Sequence, residues 1–309
     1  MRVLIPGGSG LIGRSLAEDL SKKNYEIFIL SRSPEKVSGL PDNTQAVKWD
    51  GRTTRGWGYL VEGAHAVVNL AGENIAGDSF FPTRWTAERK ARIQSSRTES
   101  GQAIIEAIMA AKVKPKVFIQ SSAVGYYGAL DDEKVDEIVS AGQDFLAHFC
   151  QEWENSTAYV EKVGVRRVII RSGIVLSKET GALPRMMLPF KLFAGGPFGN
   201  GRQYISWIHL IDEVAAIRYL IENSESSGAY NLTSPNPCTN ADFGRALGKV
   251  MNRPYYMPVP GFAMRIAFGE VATVVLDGQR VIPQRLLDSG FAFQFPKLES
   301  ALQDTLAGG

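Results

Sequence analysis

The opening of this chain constrains its fold more than any other segment. Arg2 to Pro6 (RVLIP) is a short apolar run suited to a buried strand. Gly7-Gly8-Ser9-Gly10-Leu11-Ile12-Gly13 follows at once. From Leu11 to Lys23, apolar Leu11, Ile12, Leu16, Ala17 and Leu20 recur at helical spacing. A glycine pattern alone says little, but here it sits between a strand and a helix. Gly7 permits a tight turn, Gly10 lets the backbone approach a pyrophosphate, and Gly13 lets the helix pack close to the strand. The start of the helix, with Ser9, Leu11 and Ile12, offers free N–H groups to phosphate. A strand–helix turn without a ligand is the structural alternative.

The end of the second strand, Glu26 to Leu30, selects the cofactor. An NAD site places Asp or Glu there for the ribose 2′-hydroxyl. This chain has Ser31-Arg32-Ser33, with no acid until Glu35. A guanidinium at Arg32 and a hydroxyl at Ser31 suit a 2′-phosphate, so the pattern predicts NADP(H).

The strand pattern continues through Gln45–Trp49, Ala64–Leu70, Lys116–Gln120 and Arg167–Arg171, with Ala229–Leu232 as a returning strand. Helices are expected over Trp85–Ala111 and Phe145–Val163, and the latter as one unbroken element. Regular alternation of strand and helix implies a parallel sheet with right-handed crossovers. The expected fold is α/β, a doubly wound Rossmann sheet of seven mostly parallel strands with a smaller C-terminal substrate region. Residues 1–175 form the nucleotide domain, 203–232 complete its sheet, and 176–309 form the smaller region. Within the latter, Ile205–His209 reads as a strand and Asp212 as the N-cap of a helix over Glu213–Ile221. Further helices are expected over Asn240–Met251, Gly261–Gly269, Gln284–Ser289 and Lys297–Leu306. Gly181–Gly201 reads as a Gly- and Pro-rich excursion, either a flap over the substrate or a plain connector.

Composition excludes several classes. Lys+Arg number 34 and Asp+Glu 32, a net charge of +2, with no clustered excess for nucleic acid or a membrane surface. Cys150 and Cys238 do not make a disulfide framework, and His65, His148 and His209 lack metal-ligand spacing, so no metal is expected. The sequence opens directly on the first strand pattern, so no targeting segment is expected, and no apolar run approaches the ~18 residues of a membrane span. The expectation is a cytoplasmic protein acting on a small-molecule substrate.

Further residues carry a resemblance. Gly7-x-x-Gly10-x-x-Gly13 resembles the extended and atypical short-chain dehydrogenase/reductases of the nucleotide-sugar epimerase group. Asn69-Leu70-Ala71-Gly72 resembles that group's segment lining adenine and ribose. Ser121-Ser122-Ala123-Val124-Gly125-Tyr126 resembles the segment carrying the active-site Ser or Thr. Arg171–Leu176 resembles the stretch beside the nicotinamide, and Trp207–Asp212 a later strand-to-helix signature. The match is closer to the epimerase-like subfamily 39U, some of whose members are labelled cell-division inhibitors. Asn69–Ile75 and Val281–Arg285 are its specific runs. Nothing in these residues supports the cell-division label. Relatives dimerise through helices matching Trp85–Ala111 and Phe145–Val163, which makes a homodimer an expectation by resemblance.

One departure bears on mechanism. The resemblance implies a Tyr-x-x-x-Lys pair, whose Lys lowers the Tyr pKa. None of the ten tyrosines has Lys four residues on. Counting back from Arg171, the family's Tyr position falls on Leu146, its Lys position on Cys150, and an acid on Glu154. The remaining catalytic candidates are Ser122 and Tyr126, with pocket packing as the alternative for the aromatic. Cofactor contacts are expected from Gly7, Ser9, Gly10, Leu11, Ile12, Gly13, Ser31, Arg32, Leu70, Ala71, Gly72, Glu73, Arg97 and Ser121. Arg97 reads equally as an ion-pair partner of Glu99 or Glu62 on a solvated face. Arg84-Trp85 reads as a lid or a helix staple, His209 as a core histidine, and Cys150 as a small buried hydrophobe. Two functions follow: an NADP(H)-dependent oxidoreductase or epimerase-like enzyme with an unusual acid/base, or a non-catalytic NADP(H)-binding redox sensor or regulator.

Overall fold

The computed structural model describes residues 1–77 and 79–307. In chain order the first half runs β1 (Arg2–Pro6), α1 (Leu11–Ser21), β2 (Glu26–Ser31), β3 (Thr44–Lys48), β4 (Ala66–Asn69), α2 (Ala87–Ala110), β5 (Val117–Ala123) and β6 (Lys134–Val135). Then come α3 (Phe145–Asn155), β7 (Arg166–Ser172), β8 (Ile174–Leu176), α4 (Leu183–Lys191), β9 (Tyr204–Ile205), β10 (Trp207–His209), α5 (Leu210–Glu222) and β11 (Gly228–Leu232). The tail holds β12 (Cys238–Thr239), α6 (Asn240–Met251), α7 (Gly261–Phe268), α8 (Thr273–Leu276), β13 (Arg280–Val281), α9 (Gln284–Asp288) and α10 (Leu298–Ala307).

Seven strands form one sheet in the order β11-β7-β5-β4-β1-β2-β3, every neighbouring pair parallel. Alternate residues of each strand enter opposite faces. Val3, Ile5, Ile27, Ile29 and Val68 pack with α1 and α5, while Leu4, Phe28, Leu30 and Val67 pack with α2. Burial on both faces explains the continuous apolar runs in the sequence. The strand order reverses beside β1, between β4 and β2, which opens the crevice where such sheets hold ligands. Outside the sheet, Leu176, Met186, Phe190, Trp207, Phe243 and Leu302 form a separate apolar cluster under the C-terminal segments.

Two local expectations are corrected, and one segment gains a helix the sequence did not suggest. The run 145–163 is not one helix. Ser156 and Thr157 turn their hydroxyls back onto Trp153 and Glu154 carbonyls, Arg167 binds the Glu154 carbonyl as well, and α3 ends at Asn155. Asp212 does not cap α5: His209 does, its Nδ1 accepting the Ile211 N–H at 3.2 Å. Asp212 instead accepts the N–H groups of Gln294 and Phe295 at 2.7 and 2.9 Å and clamps the tail. The excursion 181–201 contains α4. Its glycine-rich end is strapped to residues 255–259, with Tyr256 and Met257 N–H donating to Gly195 O and Val259 N–H to Pro197 O. It is a pinned connector.

Gly13 sits where α1 crosses β1, and a Cβ there would lie 2.4 Å from Gly8 Cα. That neighbour is backbone and cannot yield. Gly13→Ala should therefore cost about 1–3 kcal/mol through overpacking. Urea denaturation of wild type and variant checks this; equal midpoints would contradict the close-packing argument.

Candidate functional site

The glycine loop closes β1 onto α1. Gly7 has φ +76°, and a Cβ there would lie 2.7 Å from the Leu70–Ala71 backbone. Gly10 is the N-cap of α1 and no side chain caps it, so the first-turn N–H groups are left for another partner. A Cβ on Gly10 would meet only Gly7 O, at 3.5 Å. This open, cationic helix end fits a pyrophosphate.

The end of β2 is basic. Arg32 is exposed, and Ser31 Oγ accepts the Ser33 N–H. Two cations missed in the sequence flank them. Lys48 is the register partner of Ser31 and its Nζ donates to Arg32 O. Arg14 bridges Ser9 O at 3.1 Å and Ser38 O at 2.8 Å. The signal for Lys48 lay in strand register, which a single sequence does not reveal.

Two adjoining cavities of about 780 and 600 Å³ open beside the loop. Gly7, Gly10, Leu11, Ile12, Gly13, Leu70, Gly72 and Ser121 line the larger one. Gly72, Glu73, Arg97, Ser121 and Ser122 line the smaller. Ser9, Ser31, Arg32, Ala71 and Tyr126 line neither. Leu146 and Phe149 form part of the smaller cavity's wall without filling it.

Arg97 is buried under that cavity and does not lie on a solvated face. Glu99 pairs instead with Arg52 at 2.8 Å, and Glu62 accepts the N–H groups of Lys112 and Val113. The Arg97 guanidinium donates to Glu73 O and Ile93 O and lies 4.6 Å from the Trp153 ring centroid and 5.0 Å from that of Phe149. Burial pulls its pKa down to about 10, so it stays charged at neutral pH. The Glu73 carboxylate faces Arg89 and Arg92, at 3.5 and 3.8 Å. Trp85 donates to Ile75 O and Arg84 binds the Ile266 and Ala267 carbonyls, so this dipeptide ties the approach to α2 to Ile75 and to α7.

Ser122 belongs to a buried network. Its Oγ donates to Glu154 Oε1 at 2.7 Å. Arg171 grips both oxygens of Glu154 at 2.9 Å. Burial opposes the charge on Arg171, but the hydrogen bonds and charge of Glu154 outweigh it and raise the pKa. Tyr126 lays its ring over the Arg171 guanidinium at 3.4 Å. Tyr127 donates to Asn231 Oδ1 and accepts from Arg171, and burial pushes its pKa up to about 12. Cys150 faces Gly125 and is likewise pushed up to about 12 by burial, so it is a packed thiol at neutral pH. His209 is lowered by burial, although Asp304 lies 3.2 Å away, and stacks on Phe295; it is a core residue.

The fold and loop define a nicotinamide-dinucleotide-binding protein of Rossmann type, and the chain belongs to the NAD dependent epimerase/dehydratase family, whose model matches residues 3–233. Residues 259–305 match a second model, described as a domain of unknown function. The chain is 38% identical to the epimerase family protein YfhF of Bacillus subtilis, over 99% of this chain and 98% of that protein. It is 39% identical to a chloroplastic epimerase family protein SDR39U1 homolog of Arabidopsis thaliana, over 98% of this chain and 86% of that one. Its fold is similar to the crystal structure of human SDR39U1 with NADPH, with a TM-score of 0.85, 31% identity and full coverage of both chains. The resemblance read from Asn69–Ile75 and Val281–Arg285 thus holds. Among the described residues no helix is long and apolar enough to cross a membrane, and no group of three acids, cysteines or histidines is placed to hold a metal.

One buried acid escaped the sequence reading. Glu213 is fully buried on α5, its Oε1 accepting from Ser172 Oγ at 2.6 Å and its Oε2 without a partner. Burial raises its pKa from 4.5 to about 8, against the Ser172 bond, which lowers it. The folded chain therefore keeps a proton that the unfolded chain releases. That stability is fully present below about pH 4.5 and is lost as pH rises through about 8. Glu213→Gln, which cannot ionise, should gain stability relative to wild type from about pH 5 to 8. Urea titrations across that range check it; parallel curves would contradict it.

Proposed function

We propose that this chain is an NADP(H)-dependent oxidoreductase of epimerase-like type. The observation that carries the reading is the uncapped glycine-loop helix with Arg14, Arg32 and Lys48 gathered at the end of β2. In this reading Gly7 to Gly13 cradle the pyrophosphate, with Ser9, Leu11 and Ile12 supplying N–H groups. Ser31 and Arg32 hold the 2′-phosphate, and Leu70, Ala71 and Gly72 line the adenosine half. Glu73, Arg97 and Ser121 border the nicotinamide half. The bound cofactor supplies the hydride chemistry.

The chain's own residues handle the proton. Ser122 Oγ already gives its hydrogen to Glu154, so toward the cavity it acts as an acceptor. A hydroxyl bound there can pass its proton to Ser122 as Ser122 passes its own to Glu154 Oε1. Arg171 already occupies both Glu154 oxygens, so this relay competes with that ion pair, and modest rates are expected without a Tyr–Lys pair. Tyr126, stacked on Arg171, serves as a positioning residue. The second reading, a non-catalytic NADP(H)-binding regulator, is disfavoured by the open cavity beside Ser121 and Ser122.

Calorimetric titration tests the cofactor assignment. NADPH should bind more tightly than NADH, and Arg32→Ala should weaken NADPH about tenfold or more while leaving NADH nearly unchanged. Equal loss for both nucleotides, or no NADPH binding by wild type, would overturn it.

A further inference from the structure

We infer that the cavity beyond the glycine loop takes an uncharged, apolar molecule with a single carbonyl or hydroxyl group, and not a sugar nucleotide. The inference rests on the cofactor reading above and names what lies beside that cofactor.

A nucleoside diphosphate carries charge that proteins meet with Arg, Lys or free N–H groups. Among the described residues, the larger cavity holds one cation, Arg185. Its Nε donates to Phe80 O at 2.8 Å, and its Nη2 to Ser79 O at 2.8 Å and Gly77 O at 3.2 Å. It acts as a brace for Gly77, Ser79 and Phe80. The smaller cavity also holds one described cation, Arg97, committed to two carbonyls beside Phe149 and Trp153. Four acids line that same cavity: Glu73, Asp144, Glu270 and Asp277. Glu73 is paired with Arg89 and Arg92, Glu270 with Lys90 and Asp277 with Arg265, so these cations are already committed and the lining offers a diphosphate no free one among the described residues.

The opposing walls are apolar. Met186 and Leu188 of α4 face Met264, Phe268, Val271 and Val274 from the tail. Burying a ligand against such a wall is favoured in proportion to the apolar area taken from water, whereas a second diphosphate away from the glycine loop would lose its hydration without compensation. Of the about 780 Å³, the part along the glycine loop is the cofactor's in this reading, and the part between α4 and the tail is left for the ligand. Ser121 lines both cavities, and Asn74 and Thr180 are the other neutral polar side chains among the described residues lining the larger one. Few polar groups against a broad apolar wall suit a ligand with one oxygen to orient.

The test uses the full chain and three probes. NADPH binding is measured first. N-phenylnaphthylamine, a neutral fluorescent probe, is then titrated in with and without NADPH, and benzophenone or UDP-glucose is added as competitor. The expected result is probe binding that benzophenone displaces and UDP-glucose does not. Val274→Lys should weaken the probe about tenfold with NADPH affinity retained. Displacement by UDP-glucose but not benzophenone would overturn the inference, as would probe affinity unchanged in folded Val274→Lys. If that variant fails to fold, Met186→Lys takes its place, and if neither folds the wild-type competition decides alone. A chain that takes no NADPH defeats the cofactor reading, while the competition run without NADPH still decides the cavity's ligand class.

Discussion

The ion pair between Arg171 and Glu154 fixes the geometry on which the cavity depends. Arg171 ends the sixth sheet strand in sequence, β7, and Glu154 lies near the end of α3. Both are nearly fully buried, and such a pair stays ionised only when geometry and further hydrogen bonds offset the loss of water. Here Ser122, Tyr127 and the Tyr126 ring supply that compensation. Through Tyr127 the network reaches Asn231 on β11, and through Asn231 the Ile282 carbonyl of the tail. One buried charge pair thereby joins β5, α3, β7, β11 and the C-terminal segment into a single wall.

The other wall depends on close backbone approach. Gly173 lies where a Cβ would come 2.3 Å from Ser206 O, so β8 can peel away from β7 and pair with β10. The tail then crosses the opening, held by Asp212 at one point and by the β6–β13 pairing at another. The wall opposite the glycine loop is thus made by residues distant from that loop in sequence.

Much of the sheet was legible because its strands are buried on both faces and their apolar runs are unbroken. The cofactor loop was legible because its glycines obey local steric demands. What escaped depends on contacts between distant segments. Lys48 reaches Arg32 only through strand register. The end of α3 is set by hydroxyls that choose carbonyls over helix continuation. Asp212 looks like a cap in sequence and becomes a clamp because the tail brings two N–H groups to it. Glu154 was singled out by counting, but its partners Arg171 and Ser122 emerge only when β5 and β7 lie side by side. Nothing local in Glu213 signals its burial.

The most direct test of the account is a crystal structure of this chain grown with NADPH. The account predicts pyrophosphate oxygens on the N–H groups of Leu11 and Ile12, the 2′-phosphate beside Arg32, and the nicotinamide ring beside Ser121 with its reactive face open to the cavity. A nicotinamide turned out into solvent, or a ring shut off from the cavity by Leu146 and Phe149, would contradict it.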